Sequence, residues 1–190
     1  ELLQGRDLNK IVKRFRGEQK KLPLETAVAI VAETCRGLAH AHSRTDQHGE
    51  SLGLVHRDVS PHNIVLTLTG EVKLVDFGVA RLMNTTEAQE TGLAPGRPGG
   101  GKYAYMSPEQ VNGEPLDGRT NQFSLAVVLF ELATGQRAFY AGDGAEAILG
   151  RVAKASPLVS METAAPDQPR AIRDVITRAM ALARDDRFPD

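Results

Sequence analysis

Apolar residues recur through most of this chain with a helical period, and one stretch alone has the short, dense spacing of strands. Ala27, Val28, Val31, Ala32, Cys35, Leu38 and Ala39 fall on one broad stripe, which predicts the longest helix, opened at Leu22-Pro23-Leu24. Pro23 suits a first-turn position, where an amide hydrogen would have no partner, and Glu25 sits favourably near the positive helix start. Residues 123–134 are densely apolar and predict a buried helix stopped by Gly135. Residues 144–155 and 169–184 read as two further amphipathic helices, separated by the Pro-containing loop 156–168. Residues 64–75 differ, because two short apolar runs flank Thr69-Gly70 and predict a hairpin. Residues 43–53 and 82–101 are polar and Gly-containing; they read as loops, the second a mobile one. The expected fold class is mainly α with short β-hairpins.

The hairpin matters for what it brings together. Immediately before it stand His56-Arg57-Asp58 and, five positions after the aspartate, Asn63; immediately after it stand Asp76-Phe77-Gly78. Side-by-side hairpin ends place Asn63 and Asp76 near Asp58. Two oxygen ligands and a third carboxylate in one small space suit magnesium-assisted phosphoryl transfer.

Composition narrows the partners. With 190 residues, 41% of them hydrophobic, one globular domain with a real core is expected. Lys and Arg number 23 against 24 Asp and Glu, a balance that gives no strong field for nucleic acid or an anionic membrane. No apolar run approaches the roughly 20 residues that span a bilayer. The single cysteine cannot form an internal disulfide, which fits a reducing cytoplasm.

Val55-His-Arg-Asp-Val-Ser-Pro-His-Asn63 resembles the catalytic loop of the protein kinases, whose pattern is H-R-D-x-x-x-x-N. Asp76-Phe77-Gly78 looks like their D-F-G, and Ser107-Pro108-Glu109 like their A-P-E with serine for alanine. The wording is closest to bacterial Ser/Thr kinases. The resemblance implies one partial domain over residues 1–190, a kinase-like large (C-terminal) lobe with the small N-terminal lobe absent. Residues 1–8 would be the end of the hinge, 56–63 the catalytic loop, 76–109 the activation segment and 110–190 a helical subdomain. It implies ATP and Mg2+ as cofactors, a protein substrate, and the missing small lobe as partner. Asp58 would be the catalytic base, Asn63 and Asp76 the metal ligands, and Ser60 a contact to the transferred phosphate. Arg57 would clamp a phosphorylated Thr85, Thr86 or Thr91, because guanidinium and phosphate pair bidentately. On the nucleotide side, Glu1 and Leu3 would meet adenine, Asp7 the ribose, and Val65 would form the floor under the base.

Departures from the family pattern are informative. Ser60 stands where Ser/Thr kinases usually place a lysine, and Lys102 replaces a threonine that often follows the glycine before the substrate platform. Asn121 takes the place of an aspartate that braces the catalytic loop. Residues 184–188 look like a shortened D-P-x-x-R-F, which makes Arg187 the expected partner of Glu109.

Other residues read as structural. His56 is expected to pack near Phe77, and Cys35 to be a small core residue. His40 and His42 lie two apart on a helix, on different faces, a poor spacing for one ion. Residues 96–102 nearly match a phosphate-cradling P-loop, but Tyr103 stands where the magnesium hydroxyl should be and no strand precedes them. The competing function is a catalytically inactive, kinase-like binding module. A small-molecule phosphotransferase shares the Asp/Asn logic, but Ser-Pro-Glu and the long activation segment fit a platform for protein substrates.

Overall fold

A computed structural model describes residues 3–77 and 101–189. Among these, seven α-helices surround a three-stranded antiparallel sheet of order β1-β2-β3. The strands are β1 (Gly5–Asp7), β2 (Ile64–Thr67) and β3 (Val72–Leu74). The hairpin β2–β3 turns at residues 68–71 as its Thr-Gly signal predicts, and its register pairs Ile64 with Leu74 and Val65 with Lys73. The strand β1 is an addition that the sequence pattern does not predict. It closes on β2 because Gly5 faces Thr67: a Cβ at position 5 would lie 2.3 Å from the Leu66 carbonyl oxygen.

Helix α1 (Leu8–Gly17) follows directly, capped by Asp7, whose Oδ1 accepts from Lys10 N at 2.9 Å. Helix α2 (Leu24–His42) is the longest, as predicted, with Pro23 at its N-cap rather than inside the first turn. Its buried face differs from the expected stripe. Ala27, Ile30, Thr34, Leu38 and Ala41 face inward, and Cys35 is exposed. Alanines and valines lie on both sides of this helix, so hydropathy leaves its rotation open; the core face is turned by about 100°, one residue, from the predicted one. Thr34 tolerates burial because its hydroxyl donates to the Ile30 carbonyl at 2.8 Å.

The core centres on α4 (Gly118–Thr134), against which α2 and α7 (Arg170–Ala179) pack. Helix α4 is buried around nearly its whole circumference and ends at Gly135, φ 72°, as its composition predicts. Shorter helices complete the fold: α3 (Pro108–Asn112), α5 (Ala145–Val152) and α6 (Met161–Ala164). Helix α7 stops five residues before the predicted end. Beyond it, the Ala181 and Leu182 carbonyls are taken by the Arg187 guanidinium, at 2.9 and 3.2 Å, rather than by a further helical turn.

Arg187 is 1% exposed and makes a bidentate pair with the buried Glu109, at 2.7 and 2.9 Å. Thr120 Oγ1 donates to the same carboxylate at 2.9 Å, and the guanidinium lies over the Phe123 ring. Burial pushes the Glu109 carboxyl up, but the Arg187 hydrogen bonds and charge outweigh it, and the net displacement is downward from 4.5. A carboxylate depressed in the folded state contributes stability that is present above its unfolded value and lost as pH falls through the folded one. Arg187→Met is therefore expected to cost about 3–5 kcal/mol at neutral pH by stranding a buried charge. In chemical denaturation, Glu109→Gln should flatten the loss of stability below pH 4.5; an unchanged acid limb would show that other carboxylates set it.

Candidate active site

The segment 56–63 is built around a buried histidine. His56 is fully buried; its Nε2 donates to the Val75 carbonyl at 3.0 Å, and its Nδ1 accepts from Asp58 N at 3.3 Å. These two bonds define a neutral ring, and burial pushes its pKa below 6.5. Its ring lies 4.6 Å from that of Phe77, the contact predicted from sequence. Val75 N donates to the Asn63 carbonyl at 2.9 Å, so the two ends of the hairpin are tied at the same residue that His56 holds. Asp76 follows directly.

Two residues here, Arg57 (φ 66°) and Asp76 (φ 54°), occupy the left-handed region without being glycine. Such conformations persist where the surroundings hold them. Arg57 is held from both sides. Its N–H donates to Asn121 Oδ1 at 3.2 Å, and its carbonyl accepts from Gln110 Nε2 at 2.8 Å. Asn121 is thus a brace for the loop, as predicted, and its Nδ2 also contacts His42 Nε2 at 2.9 Å. Gln110 is a brace that the sequence reading missed. Ser107 and Gln110 form a capping box at the start of α3, a pattern legible as Ser-x-x-Gln, although its reach to Arg57 is not.

Asn63 is 4% exposed and gives its amide hydrogens to Asp58, to the carbonyl at 2.8 Å and to Oδ2 at 2.9 Å. The Asp58 carboxylate is therefore aimed while remaining accessible. Oδ1 of Asn63 and the exposed Asp76 carboxylate are the groups that a cation would use. Two oxygen donors suit a hard ion that brings phosphate oxygens and water with it. Asp58 has a further partner that the sequence reading missed, Lys102 Nζ, 2.9 Å from Oδ2. The residues are 44 positions apart, and no local pattern signals the pair.

Ser60 departs from expectation. It is fully buried, and its Oγ has no hydrogen-bond partner among the described residues, so it does not face the open side of Asp58. Packing around the Ser60–Asn63 turn, closed by Asn63 N to the Ser60 carbonyl at 3.0 Å, turns it inward. Asp7 and Val65 are direct partners across β1 and β2, and half-buried Leu3 lies just before that strand. Asn9 N donates to the Pro61 carbonyl at 2.8 Å and joins α1 to the loop. Glu1, Gly78, Thr85, Thr86, Thr91 and most of residues 82–101, including the P-loop-like stretch to residue 100, lie outside the described residues.

A family model described as the protein kinase domain matches residues 1–188. The chain belongs to the protein kinase family. Among its kinase relatives, the tyrosine-protein kinase MasK of Myxococcus xanthus is 33% identical over 189 residues, covering 100% of this chain and 28% of MasK. The serine/threonine-protein kinase PknA of Mycobacterium tuberculosis is 35% identical over 176 residues, 93% of this chain and 36% of PknA. Serine/threonine-protein kinase A of Synechocystis is 36% identical over 140 residues, 72% of this chain and 25% of that protein. The chain thus spans about a third or less of the length of these kinases. Among the described residues, no helix is long and apolar enough to cross a membrane.

The Asn121 brace of this kinase-family loop is directly testable. Asn121→Ala strands the Arg57 amide and should cost about 1–3 kcal/mol, the usual penalty of a buried unpaired donor. Hydrogen exchange at Arg57 should quicken in Asn121→Ala and stay slow in Asn121→Asp, which keeps the acceptor. Equal exchange in both variants would remove Asn121 from this role.

Proposed function

We propose that this chain is the large lobe of an ATP-dependent Ser/Thr protein kinase. The observation that carries the reading is the Asn63 amide clamped on the Asp58 carboxylate, beside the hairpin end that presents Asp76. Asp58 accepts the proton of the substrate hydroxyl as its oxygen forms a bond to the γ-phosphorus. The bond from phosphorus to the bridging oxygen breaks, and its electron pair leaves with ADP. Asn63 and Asp76 would hold magnesium, which when bound neutralises phosphate charge. Leu3, Asp7 and Val65 would face the nucleotide, as Glu1 would by its place in the sequence, with a small lobe completing the pocket. Arg57 would pair with a phosphorylated activation segment, because guanidinium and phosphate pair bidentately. ATP as donor places the domain in the cytoplasm.

Two relatives are named Ser/Thr kinases and one a tyrosine kinase, so the acceptor is part of the test. The intact protein carrying this chain, given Mg-ATP and a generic protein substrate, should yield phosphoserine and phosphothreonine. Asp58→Asn should lower that transfer by about 10²–10⁴-fold, the usual contribution of a general base. Phosphotyrosine alone would reverse the acceptor assignment. Transfer that is absent, or indifferent to Asp58→Asn, would favour the kinase-like binding module.

A further inference from the structure

Of two departures from the kinase pattern, Ser60 is turned into the interior and Lys102 reaches the Asp58 carboxylate. The catalytic loop lacks a cation at position 60, and the serine there is sealed in the interior. An ammonium arrives instead from 44 residues further along the chain: Lys102 Nζ lies 2.9 Å from Asp58 Oδ2. Its backbone is anchored independently of its side chain. The Lys102 carbonyl accepts from Tyr105 N at 3.1 Å, opening a 3-10 turn over Tyr103–Tyr105. The Tyr105 hydroxyl is bonded to the buried Glu131, itself paired with Arg16. The base of the lysine is thus fixed to the core, while its four-carbon stem reaches over the open side of Asp58.

Stability does not explain this placement. The Lys102 and Asp58 side chains are 46% and 41% exposed, and exposed pairs of this kind contribute little to folding. Chemistry does. Anionic charge develops on the equatorial phosphoryl oxygens next to the carboxylate that receives the substrate proton, and a point charge there stabilises the transition state. The lysine stem is long and rotatable, so the ammonium can turn from Oδ2 to a phosphoryl oxygen without backbone movement.

We propose that Lys102 is a catalytic residue that neutralises the transferring phosphoryl group from the substrate-platform side of Asp58, in place of a cation from the catalytic loop. This rests on the kinase reading above. In the step it serves, the acceptor oxygen bonds to the γ-phosphorus, the bridging P–O pair leaves with ADP, and the hydroxyl proton goes to Asp58. Lys102 gives up no proton and forms no bond; its charge follows the phosphoryl oxygens.

The test uses the intact protein with Mg-ATP and a protein substrate, comparing Lys102→Met, Lys102→Arg and the unsubstituted form. Lys102→Met should lower kcat by about 10²-fold, as loss of one transition-state donor does, with KM for ATP unchanged. Lys102→Arg, which keeps the charge, should retain most of the rate. A second readout needs no turnover. Calorimetric affinity for MgADP with aluminium fluoride, a mimic of the planar phosphoryl group, should fall by a similar factor in Lys102→Met, while affinity for MgADP alone holds. An unchanged kcat in Lys102→Met overturns the proposal. A raised kcat also overturns it, by marking the ion pair as a block on Asp58. Loss of MgADP affinity by the same factor overturns it in favour of a general disturbance. Asp58-dependent transfer by the unsubstituted protein separates these results from failure of the kinase reading, which would remove both.

Discussion

The pair between Glu109 and Arg187 is the constraint on which the remaining geometry depends. It is buried at both ends and bidentate, and the guanidinium also donates to the carbonyls of Arg119, Ala181 and Leu182. One side chain near the chain's end therefore fixes the start of α3, the start of α4 and the segment after α7. A buried ion pair of this kind adds little net stability compared with an apolar replacement, because desolvation offsets attraction. Its worth lies in specificity: a single arrangement satisfies both charges. Helix α3 could otherwise drift on the surface, and Gln110 would lose its register with the loop.

Strain at the loop follows from that fixed frame. Arg57 and Asp76 hold left-handed backbones at the two ends of one hairpin, and such conformations cost of order 1 kcal/mol each for non-glycine residues. Neither end is free to relax. His56 ties Val75 to the loop, Val75 ties back to Asn63, and Asn63 aims the Asp58 carboxylate. These bonds hold the Asp58 carboxylate and the Asn63 amide in one arrangement, and fix the backbone from which Asp76 follows, before any ligand arrives.

Much of this was legible in the sequence. The hairpin announces itself through two apolar runs and Thr-Gly, and its flanking motifs point to the family that the comparison shows. The Glu109 and Arg187 partnership follows from motif resemblance alone. Other features were hidden for physical reasons. The rotation of α2 is ambiguous because small residues occupy several faces, so Cys35 looks buried and is exposed. Strand β1 is three residues long and exists because Gly5 permits a close approach, a tertiary fact. Ser60 reads as a contact to the transferred phosphate, whereas packing turns it inward. Nothing local links Lys102 to Asp58, since proximity across 44 residues belongs to the fold.

Gln110 spends both ends of one amide, its carbonyl on the N–H of Ser107 and its amino group on the carbonyl of Arg57. Fraying of the first turn of α3 releases that amide, and its release removes one of the two bonds, the other being to Asn121, that hold the Arg57 peptide in its left-handed state. Opening of the five-residue helix and loosening of the loop are thus energetically coupled through one side chain. A ligand that clamps either end slows the opening of both.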